Sequence, residues 1–187
     1  TELIFVFGIA VLGFVSAQGN ALWKPLKHSY DITPGSALDF SFLMDTPAGK
    51  HGLVIITNGH FAFAGKPGQR VRFYGNNIGL EGITKAECEK LAERFARMGY
   101  NAARIHVYDQ DLQGKKSPSY AVDPVQEDIL DHLIDCMKRR GIYLTIDLYV
   151  ARVIFPNEIA GVPNAIQHAY KMLVHLHEPS FENWKRW

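Results

Sequence analysis

Two stretches of the chain place polar and ionisable side chains at every second position. In residues 101–108, Ala102, Arg104, His106 and Tyr108 fall on one face of an extended segment and Ala103, Ile105 and Val107 on the other, with Asp109 next in line. Residues 142–150 repeat the pattern, with Ile142, Leu144, Ile146 and Leu148 opposed to Tyr143, Thr145, Asp147 and Tyr149. A strand buried on both sides reads as continuously apolar, and these two do not. At the carboxyl ends of neighbouring parallel strands, Arg104, His106, Tyr108, Asp109, Asp147 and Tyr149 converge on one mouth, where ligands bind in α/β proteins. The competing role is an internal ion pair between Arg104 and Asp147, which adds little net stability. The clustering of several such residues at the same strand ends favours a site.

Other candidates are weaker. His175 and His177 form a His-Leu-His pair that, on a strand end, would present two imidazoles to a metal ion. Such a pair normally sits on the first strand of a barrel, whereas here three strand–helix units precede it, and two loop histidines are the plainer reading. Cys88 and Cys136 fall on or beside the apolar faces of expected helices and read as buried free thiols more readily than as a bridge. The glycines of residues 75–82 have the wrong spacing for a dinucleotide fingerprint, and no phosphate-binding Gly-Lys-Ser/Thr occurs. A net charge of +1 gives no basic footprint, so nucleic acid is not an expected partner. The one basic run, Lys138, Arg139 and Arg140, complements the dipole at a helix end.

The elements that must position these groups can be followed along the chain. Residues 3–15 are apolar and uncharged, and Val15 and Ala17 occupy the small-residue positions of a cleavage site, so residues 1–17 read as a secretory signal. The stretch is too short for a comfortable membrane span. The expected product is therefore secreted or periplasmic, with no stable membrane insertion once the signal is removed. The absence of a starting Met and of a basic leader makes the start read as truncated. Residues 18–68 form a lead-in segment with Pro25, Pro34 and Pro47, followed by a hairpin in which Thr57-Asn-Gly-His60 turns residues 53–56 back into residues 61–63. Residues 70–77 then begin an alternation of strands and helices. Thr84 and Glu87 make a capping box for a helix closed by Gly99; Asp123-Pro124 opens a second helix whose apolar face is Ile129, Leu130, Leu133, Ile134 and Met137, closed by Gly141. The order βαβαβ predicts a parallel sheet with helices outside. Beyond Arg152 the chain reads as loop until about Ser180, with residues 181–187 opening a third helix.

At these residues the chain resembles clan A (β/α)8 glycoside hydrolases of the family 5 cellulase-like group. The resemblance rests on Ser36-Ala-Leu-Asp-Phe-Ser-Phe-Leu43, Pro47-Ala-Gly-Lys-His-Gly52, Arg72-Phe-Tyr-Gly-Asn-Asn77, Ala103-Arg-Ile-His-Val-Tyr-Asp109 and Gly141-Ile-Tyr-Leu-Thr-Ile-Asp-Leu-Tyr149, taken in order. It implies an incomplete TIM barrel in which residues 69–187 supply the first three βα units and the hairpin closes the bottom. Strand one would end at Asn77, strand two at Asp109 and strand three near Tyr149. Arg104 would support the nucleophilic carboxylate. Asn77, His106, Tyr108, Asp109, Asp147 and Tyr149 would bind a carbohydrate, with Tyr149 standing where many relatives carry a histidine. The implied reaction is retaining hydrolysis by two carboxylates about 5–5.5 Å apart, with neither cofactor nor metal. The family's glutamates follow strands four and seven, beyond Trp187, so the resemblance makes this stretch itself inactive. Asn157-Glu158 imitates the fourth-strand pair but follows strand three directly and is not expected to be the acid. A carbohydrate-binding barrel without catalysis fits the same residues.

Overall fold

The computed structural model describes residues 29, 31–114, 117–164, 166 and 170–187. The expected signal, residues 1–17, and the first part of the lead-in lie outside these. After a 3₁₀ turn at Ser41–Leu43, strands β1 (Val54–Thr57) and β2 (His60–Phe63) pair antiparallel, with Val54 opposite Phe63 and Thr57 opposite His60. Asn58 and Gly59 both take positive φ, 48° and 73°, the combination that a two-residue type I′ hairpin requires. The Asn-Gly pair in the sequence therefore fixes the register of this ribbon.

The second sheet is parallel and ordered β3 (Gly75–Ile78), β4 (Ala102–Ile105), β5 (Tyr143–Ile146). Helix α1 (Lys85–Arg97) joins β3 to β4. Thr84 caps it, accepting from the Glu87 amide while the Glu87 carboxylate accepts from the Thr84 amide. A short helix, α2 (Tyr108–Gln113), and a long one, α3 (Pro124–Arg139), lie between β4 and β5. Asp123 caps α3 through the amides of Val125 and Gln126. Gly99 and Gly141, the expected helix stops, take φ of 76° and 80°. Helices α1 and α3 pack against one another and against one face of the sheet, burying Cys88, Phe95, Ala103, Ile105, Leu133 and Met137. Trimming Leu133 to Ala in this layer would cost about 2–5 kcal/mol. At Gly75 a Cβ would stand 1.9 Å from the Ala102 carbonyl oxygen, so only glycine lets β3 lie at this distance from β4.

The hairpin meets the amino-terminal end of this sheet through aromatic rings. Phe63 stacks on Tyr143 at 5.1 Å, and Phe73 meets Tyr143 edge-on at 5.6 Å and Phe61 at 5.8 Å. Mixed α/β architecture with a parallel sheet and a preceding hairpin is thus as expected. Among the described residues no helix is long and apolar enough to cross a membrane.

Three expectations are corrected. The strand expected over 101–108 stops at Ile105, because Val107 adopts φ 57° and α2 starts at Tyr108. Val107, assigned to the helix-covered face, is accordingly exposed, and Tyr108 is turned into the core. The strand expected over 142–150 stops at Ile146. Ile146 and Leu148 are exposed because β5 is a sheet edge among the described residues, so no further element covers their side chains. Residues expected as loop beyond Arg152 contain the bridges Ile154↔Ile166 and Ile159↔Val162 and helix α4 (Tyr170–Leu176). Helix α5 (Glu178–Lys185) begins ahead of Phe181. Tyr170 and Val174, one turn apart on α4, bury a second small core with Ile154 and Ile159.

Candidate functional site

The ladder places Asn77, Arg104 and Thr145 side by side on the sheet face that the helices leave open. His106 follows β4 and Asp147 follows β5, held by backbone bonds from the His106 amide to the Ile78 carbonyl (2.9 Å) and from the Asp147 amide to the Ile105 carbonyl (3.3 Å). These place the three ionisable groups at the carboxyl edge. The Arg104 guanidinium grips Asp147 in bidentate fashion, Nε to Oδ1 at 2.9 Å and Nη2 to Oδ2 at 2.8 Å. His106 Nδ1 contacts the same Oδ2.

Exposure separates the members of this cluster. The Asp147 side chain is 16% exposed, against 45% for Arg104 and 37% for His106. Partial burial opposes ionisation of Asp147, but the hydrogen bonds and charges of Arg104 and His106 outweigh it and hold the carboxyl below its ordinary value. Asp147 is thus a fixed anion with two cationic or donor groups that still face solvent. The ion pair weighed against a binding site in the sequence is present, and it is part of the open edge. Asn77, Arg104 and Thr145 border a cavity of about 220 Å³, and Asn77 and His106 a second one of about 300 Å³.

Tyr108 and Asp109 do not join them. Tyr108 is buried beside Leu112, and burial, followed by the neighbouring Asp109 charge, pushes its hydroxyl pKa up. Asp109 is fully buried and accepts the amides of Val150 (2.6 Å), Ala151 (3.0 Å) and Arg152 (3.0 Å), so it fixes the chain leaving β5. Because β4 ends at Ile105, both residues belong to a helix and not to the strand alternation that had turned them toward the mouth.

Tyr149 lies in a separate aromatic groove of about 610 Å³ with His175, Phe181 and Trp184. Its hydroxyl meets His175 Nε2 at 2.8 Å, and its ring stands edge-on to Trp184 at 5.8 Å. His175 and His177, weighed in the sequence as a metal pair and read more plainly as loop histidines, have separate partners. His175 is on α4, and His177 stands in extended conformation at the N-cap position of α5. His177 Nδ1 instead bonds the Ser180 hydroxyl at 2.9 Å. Glu158, rejected as an acid, sits in a turn, where its carboxylate accepts the amides of Ser119 (2.5 Å) and Phe155 (3.0 Å).

The sequence reading missed the buried guanidinium of Arg152. Its Nη2 donates to the Tyr170 hydroxyl (2.6 Å) and to Asn183 Oδ1 (3.1 Å), its Nη1 to the Ser119 carbonyl (3.3 Å), and its charge lies 5.0 Å from the centroids of the Tyr170 and Trp187 rings. Burial lowers the Arg152 pKa and pushes that of Tyr170 up to about 12. Partners 18 to 33 residues away leave no local signature in the sequence.

Compared with known proteins, the chain matches no family model, no curated protein and no solved structure.

Proposed function

We propose that these residues are the first three βα units of an exported (β/α)8 glycoside hydrolase with a retaining two-carboxylate mechanism. The observation that carries the reading is the Arg104–Asp147–His106 cluster at the carboxyl edge of the parallel strands, where barrel enzymes hold their ligands. The aromatic contacts of the hairpin with the opposite edge agree with a plug at the barrel bottom.

On this reading Asp147 fixes the Arg104 guanidinium, which has more donors than one carboxylate can take and turns the remainder toward a glutamate nucleophile. His106 shares the Asp147 carboxylate and stands beside the sugar. Asn77 completes the subsite from β3. The mechanism's two glutamates then act in turn, one protonating the leaving oxygen and the other attacking the anomeric carbon. Asp109 and Glu158 take no part in the reaction, since backbone amides occupy them.

A second reading, a barrel that holds carbohydrate without cleaving it, draws on the aromatic groove of Tyr149, His175 and Trp184. One assay separates the two. The full-length protein is incubated with β-glucan, mannan and galactoside substrates, and the first-formed product anomer is read by NMR. Hydrolysis with retained configuration is expected. Binding without turnover favours the second reading, and an inverted product overturns the two-carboxylate retaining mechanism.

A further inference from the structure

Among the described residues, one place brings nitrogen, sulfur and carboxylate ligand atoms together, and it lies in the helix layer away from the strand ends. His132 and Cys136 are one turn apart on α3 and so share a face, and Glu89 reaches them from α1. The three ligand atoms all lie within 4.8 Å of one another. His132 Nε2 stands 3.5 Å from Glu89 Oε1, close to the separation of two ligands on a tetrahedral ion with bonds of about 2.0–2.3 Å.

We propose that Glu89, His132 and Cys136 bind a zinc-class divalent ion that staples α1 to α3. The mixed set suits an ion of intermediate softness and is unsuited to magnesium or calcium, which take oxygen ligands. On binding, the Cys136 thiol releases its proton to water as the sulfur–metal bond forms, and a water molecule completes the coordination. Carboxylate and thiolate together then neutralise the ion.

Arginines now occupy the carboxylate, and the geometry shows how the ion displaces one of them. Arg139 Nη2 lies 2.6 Å from Glu89 Oε1, and Arg140 Nη1 lies 3.1 Å from Oε2. Arg139 also holds Asp135 through Nε at 2.7 Å, and half of its side chain is exposed. It can therefore yield Oε1 and keep Asp135. Arg140 stays on Oε2 and orients the carboxylate, the usual task of a group behind a metal ligand.

The test titrates the purified chain with Co²⁺ and then displaces it with Zn²⁺. A one-to-one complex with a cobalt–thiolate absorption band is expected, lost in Cys136→Ser and kept in Cys88→Ser. His132→Ala, at a partly exposed position, should weaken binding about 10-fold or more, and it keeps the test decisive if Cys136→Ser does not fold. At the same zinc concentration the melting temperature of folded His132→Ala should rise less than that of the parent chain. No cobalt–thiolate band in excess metal, the same affinity in folded His132→Ala, or loss of the band in Cys88→Ser overturns the assignment.

Discussion

The chain holds two arginine-centred clusters on either side of the segment leaving β5, and their surroundings differ more than their residue types do. Around Arg104 the contacts are few, its side chain is 45% exposed, and the Asp147 carboxylate is held by side chains alone. Arg152 as a residue is 2% exposed, and its bonded partners are the hydroxyl, amide and carbonyl groups of Tyr170, Asn183 and Ser119. Asp109, 0% exposed, holds the backbone of that same segment. The first cluster keeps donors turned toward solvent, and the second spends its Nη donors inside the protein, with Nε buried and unpartnered. Residue type alone does not separate a binding group from a brace; what separates them is which neighbours satisfy the charge.

The largest expected effect falls on the buried cluster. Arg152→Ala empties a buried site and takes the Arg152 donor from the Tyr170 hydroxyl and Asn183 Oδ1, and Asp109→Ala takes their carboxylate acceptor from the amides of Val150, Ala151 and Arg152. Each should cost about 3–5 kcal/mol in denaturant melts. Arg104→Ala should cost less than about 1 kcal/mol in the same melts, as expected of an exposed pair. Equal losses at Arg104 and Arg152 would erase the distinction between site and brace.

Activity should rank the other way. In the full-length protein Arg104→Ala is expected to lower turnover on the order of 100-fold, about 2.7 kcal/mol, by removing one preorganised partner of the nucleophile. Asp147→Asn should lower it too, through a loosened Arg104. Glu158→Gln should keep most turnover and lose about 1–2 kcal/mol of stability, because its carboxylate braces the Ser119 and Phe155 amides. Full turnover in a folded Arg104→Ala protein, with none in Glu158→Gln, would exchange their roles.

How far the sequence could be read follows from the range of the interactions. The hairpin was legible because Asn58-Gly59 fixes it locally, and α1 and α3 because Thr84 and Asp123 cap them within three residues. The Arg104–Asp147 contact was legible because alternation within each strand turns both to one face once the strands are neighbours. Helix α2 was not, since its six residues follow a positive-φ valine, which no periodicity announces. Helix α4 is seven residues long, too short for a periodic signal, and rests on Tyr170 and Val174. Alternation gave the face of Ile146, opposite Ile105, but not its burial, because burial on an edge strand depends on a neighbour, and Leu148 lies past the end of β5.

The smallest expected effect sharpens the comparison through pH and salt. The Asp147 carboxyl, despite partial burial, is held below its ordinary value by Arg104 and His106, so ionised Asp147 favours the folded chain. That contribution is complete above the unfolded carboxylate value of about 3.9 and fades as pH falls through the lower folded value. Arg104 and His106 are well exposed, so solvent screening keeps the gain under about 1 kcal/mol. The stability difference between the parent chain and Asp147→Asn should therefore shrink as pH falls below about 4. At 1 M salt, where the screening length falls to about 3 Å, the difference should shrink at pH 7 as well. The loss caused by Arg152→Ala should survive the same salt, because ions do not reach a buried guanidinium. Parallel melts of the three proteins at low and high salt measure both. An Asp147→Asn difference that salt leaves untouched would mean that Asp147 is a buried brace like Asp109, and the open edge would lose its fixed anion.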